Sequence, residues 1–472
     1  MAGLIWRLRT VGRVAPSVHH GDLWWVLGVG GIGALILGWA LTLSIQAACA
    51  FVLVVAVIAL YQHDRQWGIV ALFSLWLAAP FVRRLLALMT GPVENDPLSL
   101  APFLTTGALA ALELVRVHVP TRVRVILLVA AGGFALGLPV GFLSGPRAAI
   151  YAFVAYVAAV SAGVLGYTEA QTLRDSTLRR VLMIGLPLIG LYAIAQRYLP
   201  LTPWDQAWLD VTDFDSIGSG RDDEVRVFGS LNSPGTLGAL LALSLLCYLT
   251  IAHRRLLAIA GAVVLTIALS LTFVRSAWYA LIIAGLAHVI ASRGQSARLV
   301  LGTFAVTVVA SVALSPVSAT ARDVVNRFET ITKLGGDRSA TDRSTSFSAL
   351  LPRAAGAPEG HGLGSAGEST KLSGDSALRF ADNGYLSLMY QVGPLGFLLV
   401  VAALGFILRA AWDGARARAP GQDLRLMLFA MLVYILVLLP SGDAFYGSSG
   451  VILWFIGGQV LAFESLHRRT RV

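Results

Sequence analysis

Run after run of about 20 mostly apolar residues, each long enough to cross a hydrocarbon layer, constrains this chain more than any other feature. Such runs fall near residues 24–41, 43–61, 68–82, 99–115, 124–143, 148–166, 181–196, 234–252, 256–273, 276–291, 298–315, 385–408, 425–440 and 451–463. Inside lipid a backbone N–H or C=O finds no water, so a spanning segment of this kind must be a helix. The expectation is an all-α polytopic integral membrane protein with about 14 transmembrane helices. Composition agrees, since 13% of the residues are charged and 56% are hydrophobic, against about 25% charged in a soluble domain.

The net charge of +10 does not point to nucleic acid, because the basic residues sit in short clusters between apolar runs and do not interleave with aromatics. With a cytoplasmic N-terminus, helix alternation puts the clusters at Arg7/Arg9/Arg13, Arg116/Arg122/Arg124, Arg174/Arg179/Arg180, Arg254/Arg255, Arg293/Arg298, Arg416/Arg418/Arg425 and Arg468/Arg469/Arg471 inside, and both termini with them. Arg83/Arg84 is the main exception. The cysteines Cys49 and Cys247 both lie in apolar runs and read as small buried hydrophobes.

The chain reads as one membrane domain, 1–472, with two polar interruptions, both on the outer side: residues 197–233, and the longer 316–384, which precedes the final helices. Long loops within an otherwise compact chain are usually functional, so the chemistry is expected outside the cytoplasm. Two arginines stand out. Arg226 lies in Arg-Val-Phe-Gly-Ser-Leu-Asn-Ser-Pro just before a descending span, and Arg275 lies in Leu-Thr-Phe-Val-Arg-Ser-Ala-Trp between two spans with almost no loop. A charge at the membrane edge is expensive and suggests function, against the alternative of interface snorkelling. Guanidinium groups offer a fixed, bidentate fork for phosphate. The descending helices also begin at this face with free N–H groups, Ser233-Pro234 reading as cap and first turn and Ser276 as a similar cap. A diphosphate at the outer leaflet would meet all of these.

A proton acceptor is left open. Asp382, in Asp-Asn-Gly-Tyr before the next descending span, is either a helix N-cap or a general base for a sugar hydroxyl. His361, in Gly-His-Gly-Leu-Gly, is either the rival base or a solvated residue in a flexible turn. Arg343, in Asp-Arg-Ser, is either an aid to anion binding or a surface charge. Trp204, Trp208 and Tyr385 suit sugar stacking or an interfacial belt equally well. The acidic run Asp222-Asp223-Glu224 is flanked by arginines that neutralise it, and neither a metal site nor a cofactor motif is expected.

In the order and placement of these motifs the chain resembles the O-antigen ligase and Wzy-type polysaccharide polymerase superfamily. The resemblance covers about residues 180–410 and rests on the Arg226 and Arg275 segments, Gly360-His-Gly-Leu-Gly-Ser365, and the run from Asp382 through Gly393-Pro-Leu-Gly396. It implies a metal-independent glycosyltransferase of the GT-C type, with a GT-C-like bundle, in the bacterial cytoplasmic membrane. The donor would be a glycan on undecaprenyl diphosphate, with Arg226 and Arg275 holding the leaving group and Asn383 and Tyr385 beside the substrate. A chain-length regulator and export machinery would be partners. Typical ligases carry histidine where this chain has Asp382-Asn383, and the Asp-Asn-Gly-Tyr form looks like the exopolysaccharide polymerase branch. Transfer to another acceptor, a lipid-linked oligosaccharide flippase and a non-catalytic assembly partner remain as rivals.

Overall fold

The computed structural model describes residues 44–91, 96–172, 176–210, 225–249, 256–294, 347–348, 350–373, 383–417 and 421–469. Every regular element among them is helical. In chain order the α-helices are α1 (Ile45–His63), α2 (Arg65–Thr90), α3 (Ala101–Arg116), α4 (Thr121–Ala135), α5 (Leu138–Ser144), α6 (Pro146–Thr172), α7 (Thr177–Tyr198), α8 (Pro203–Asp210), α9 (Pro234–Leu249), α10 (Leu256–Leu271), α11 (Arg275–Ala291), α12 (Gly384–Arg416), α13 (Gln422–Leu438) and α14 (Gly447–Arg469). Eight helical stretches among the described residues are long and apolar enough to cross a membrane, and three shorter apolar helices accompany them. The chain is an all-α polytopic membrane protein. Twelve of the expected spans fall on these helices; those near 24–41 and 298–315 lie outside the described residues.

Helix α6 is the hub, packed along α14 and against α3 and α4. Its buried side is Ala152, Ala155, Ala159, Ala162, Gly163 and Gly166, and small residues let helix backbones approach closely where no hydrophobic effect drives them together. The approach is extreme at Gly166 and Gly458, where any Cβ would overlap the carbonyl oxygens of Phe455 and Gly163. At the far end of the same pair, Glu169 accepts from the Thr177 amide at 2.6 Å and from Gln459 Nε2 at 2.5 Å. Around the hub, α12 lies on α4 and α13, α11 on α13, and α9 on α7 and α10. Leu128, Ile184, Leu188 and Phe406 face outward, where acyl chains solvate them.

Two charged contacts orient the helices. Arg65, opening α2, meets Glu113 near the end of α3 at 2.5 Å, and Arg83 near the end of α2 meets Asp96 just before α3 at 2.9 Å. The second contact, the Phe103–Tyr151 ring pair and the Tyr156–Asp443 hydrogen bond put the end of α2 and the starts of α3, α6 and α14 at one end of the bundle.

Candidate functional site

Arg226 sits in an extended segment, 225–228, that enters a turn at 229–232 before Pro234 starts α9. Its Nε donates to the Thr272 carbonyl at 3.0 Å. Thr272 ends the turn region of α10, with its hydroxyl donating to Leu269 O at 2.7 Å and accepting from Val274 N at 3.3 Å. Phe273 there has φ +52° and Val274 is the N-cap of α11, so Arg275 is the first residue of that helix. The expected Ser276 cap is therefore corrected: Ser276 is already inside the helix, and no side chain caps it. Ser233 and Pro234 do hold the cap and first positions of α9, Ser233 O accepting from Leu237 N at 3.0 Å. The two half-buried arginines thus share one backbone neighbourhood.

A buried polar scaffold fixes the segment that carries Arg226. Arg84 is fully buried, pairs with the equally buried Asp205, and donates to Gly229 O at 2.6 Å. Gln196 Oε1 accepts from Gly229 N at 2.8 Å, while its Nε2 donates to Asp205 Oδ2 at 2.9 Å. Tyr192 donates to the same oxygen at 2.6 Å and accepts from Trp204 Nε1 at 2.9 Å. Phe81 and Phe228 lie 5.3 and 5.0 Å from the Arg84 guanidinium. The turn itself is stitched to α2 beside its internal proline, Ser230 donating to Leu77 O at 3.0 Å and Asn232 (φ +61°) to Pro80 O at 3.1 Å. The exception in the charge pattern is thereby explained: Arg84 is neutralised by Asp205, and Arg83 by Asp96. Trp204 and Trp208 belong to this scaffold, Trp208 lying 5.8 Å from the Arg83 guanidinium.

The glycine-rich hairpin around His361 is anchored rather than freely looping. Helix α12 breaks at Gly393 (φ +72°), and Pro394 follows. A proline has no N–H to give the carbonyl four residues back. That carbonyl, Tyr390 O, accepts instead from His361 N at 2.8 Å, and Gln391 O accepts from Gly362 N at 3.1 Å. Leu363 N donates to Gly137 O at 2.7 Å, in the matching break between α4 and α5. Backbone groups freed by broken helices must be re-satisfied in a membrane protein, and this hairpin does so at Tyr390 O, while at Gly137 O it shares an acceptor with Gly141 N at 3.0 Å. A Cβ on Gly393 would overlap Pro358 O, so the fit leaves no room for a side chain. The His361 ring stacks on Tyr390 at 3.9 Å, and its Nδ1, shielded from solvent, has no hydrogen-bond partner among the described residues.

A polar cluster lies beside the hairpin. Gln391 Oε1 accepts from Gly364 N at 2.9 Å, and its Nε2 donates to Tyr156 and Ser387 hydroxyls, each at 3.2 Å. Tyr156 and Ser387 both donate to Asp443 Oδ2, at 3.2 and 3.5 Å, and Phe445 N donates to Oδ1 at 3.1 Å. Asp443 lies in the connection between α13 and α14, outside the spans. Burial pushes its carboxyl up to about 6, against the lowering effect of those three donors. Sequence reading passed over Asp443. The signal was present, for it is a charge in a short link between two apolar runs, the criterion that singled out Arg275.

Asn383 is the N-cap of α12, accepting from Leu386 N at 3.1 Å. A Cβ on Gly384 would lie 2.9 Å from Gly442 O and 3.1 Å from Asp443 Cα, so the Asn383–Gly384 corner abuts Asp443. The Tyr385 hydroxyl donates to Leu436 O at 3.0 Å and its ring meets Phe445 edge-on at 5.7 Å. Asp382, Arg343 and the run Asp222–Glu224 lie outside the described residues. Among the described residues no group of three or more His, Cys, Asp or Glu is placed to hold a metal ion. The arginine turn and the Asp443 cluster occupy the same end of the bundle, joined through α2, α3 and α6.

Residues 260–401 match the family model described as O-antigen ligase. The matched stretch contains Arg275, Arg343, His361, Asp382, Asn383 and Tyr385, whereas Arg226 and Asp443 fall outside it. No curated protein matches the chain.

Proposed function

We propose that this chain, whose residues 260–401 match the family model described as O-antigen ligase, polymerises undecaprenyl-diphosphate-linked repeat units on the outer face of a bacterial cytoplasmic membrane. The observation that carries the reading is the Arg226–Thr272 hydrogen bond, which brings Arg226 to the turn that opens α11 at Arg275. Two guanidiniums near one helix start suit the two phosphates of a polyprenyl diphosphate.

The acceptor hydroxyl of one unit attacks the anomeric carbon of the glycan held by another carrier. The sugar–oxygen bond to phosphate breaks, its electron pair stays on the diphosphate, and Arg226 and Arg275 stabilise that growing charge. The hydroxyl proton passes to a base: Asp382 is the first choice and His361 the rival. Arg343 assists the anion, and Asn383 and Tyr385 shape the acceptor side. No metal takes part. Both termini are cytoplasmic, and a chain-length regulator and export machinery receive the product.

The test is glycan length in a null strain complemented with wild type, Arg226→Ala, Arg275→Ala or Asp382→Asn at matched membrane levels. The reading expects both arginine variants to leave single lipid-linked repeat units on the outer face. Normal polymer from both would overturn it. Long polymer accumulating on its carrier would identify a ligase, and units trapped on the cytoplasmic face a transporter.

A further inference from the structure

At the end of the bundle opposite the arginine turn, α12, α13 and α14 splay around a cavity of about 380 Å³. Arg416, Arg425, Asp413 and Glu464 line it, with Leu428, Val460 and Phe463 on its apolar wall. Both acids are already engaged, Asp413 by Arg409 and Glu464 by Arg122, each at 3.0 Å, so the cavity and its partners carry an excess of positive charge. Arg416 lies over Trp412 at 4.9 Å and Arg425 over Phe463 at 5.2 Å. Arg425 Nε is shielded from solvent and has no hydrogen-bond partner among the described residues. Snorkelling alone would carry such a group into water; a shielded donor without an acceptor calls for another explanation.

The geometry points to this cavity as the seat of a phosphate group, supplied by the head of an anionic phospholipid. Paired guanidiniums supply the donors that phosphate oxygens accept from. The source is read from α12. Phe406 is 60% exposed and falls on a stripe of the helix that continues through Ala410 and Asp413 into the cavity wall. An acyl chain lying along that stripe would bring its headgroup to Arg416 and Arg425. Basic pockets between membrane helices take lipid headgroups in this way.

The test uses the purified full-length protein in detergent, supplied with phosphatidylglycerol or phosphatidylcholine and read by native mass spectrometry. Wild type is expected to retain phosphatidylglycerol over phosphatidylcholine. Arg416→Gln/Arg425→Gln is expected to lose that retention by roughly 10-fold or more, as the loss of about two arginine contacts would give, while Arg147→Gln, exposed at the start of α6 at the opposite end of the bundle, keeps it. Ala417→Glu, which places a carboxylate at the cavity without removing an arginine, guards against misfolding of the double variant and should also lose it. Equal retention by wild type and Ala417→Glu would overturn the site. Displacement of the lipid by millimolar inorganic phosphate, with equal thermal protection by phosphate alone, would overturn the lipid as the source.

Discussion

Two segments crowd the same end of the bundle, and they are held by opposite means. The 225–233 segment is held by side chains: Arg84 and Gln196 reach across from α2 and α7 to the backbone of Gly229, and Asp205 of α8 holds both of them. The hairpin at 357–373 is held by its own backbone, whose amides reach the carbonyls of Tyr390 and Gln391 where α12 breaks and the carbonyl of Gly137 between α4 and α5. A side-chain clamp fails when one group is truncated, because its partner is left charged and buried. A backbone clamp is indifferent to truncation and fails when the local shape changes. The arginine pair therefore rests on chemistry that one substitution can delete, and His361 on geometry that only a new atom can disturb.

Arg84→Ala should have the largest effect. It leaves Asp205 buried without its counter-ion and Gly229 O with only the long 3.5 Å contact from Gln196 Nε2, a loss on the order of 3–5 kcal/mol, read as a fall in the thermal midpoint in detergent together with loss of polymer. Arg84→Met with Asp205→Leu removes both charges and should recover most of the stability; recovery of polymer as well would show that the clamp has no part in placing Arg226. On the other side, Gly393→Ala forces a side chain into Pro358 O at φ +72° and should cost about 1–3 kcal/mol, with faster proteolysis between 357 and 373. His361→Ala should leave that proteolysis unchanged, since the backbone amide of residue 361 still serves Tyr390 O; accelerated cleavage would break the comparison.

A smaller effect tests the cluster beside the hairpin. Asp443 has a carboxyl raised to about 6, above the usual 3.9 or so of an unfolded chain. The native state therefore binds that proton more tightly, and the stabilisation is complete below about pH 4 and lost as pH rises through about 6. Asp443→Asn should gain on wild type in thermal midpoint as pH goes from 4 to 7; a constant difference would remove Asp443 as the titrating group. The smallest effect is expected from Arg409→Gln, whose pair with Asp413 is exposed on both sides and is worth about 1 kcal/mol or less.

The spans were readable because length and apolarity decide them, and every expected span within the described residues corresponds to a helix. Where helices break was harder to read. Gly393-Pro394 was visible in the family motif, yet nothing local says that the amides of residues 361 and 362 would repair the break. The glycines of the hairpin read as freedom, whereas they are there for close approach. Arg83 and Arg84 broke the charge rule because their partners, Asp96 and Asp205, meet them only in the folded bundle, one of them 121 positions away. Asp443 was legible as a charge between two apolar runs, but its Tyr156 partner, 287 residues earlier, was not. Such pairings are products of the assembled bundle, which local patterns do not encode.

The pairing of α6 with α14 has a consequence for biogenesis. The glycine contacts of Gly163 and Gly166 with the last helix, and the Glu169–Gln459 bond that spans 290 residues, exist only once the final segment has been made. At a synthesis rate of about 5–20 residues per second, the hub helix waits for its partner on the order of tens of seconds. During that interval the alanine- and glycine-lined face of α6 is open to lipid or to an insertion chaperone. A ribosome that stops before residue 447 would leave the hub without its partner, and with it the connection that carries Asp443 unpinned.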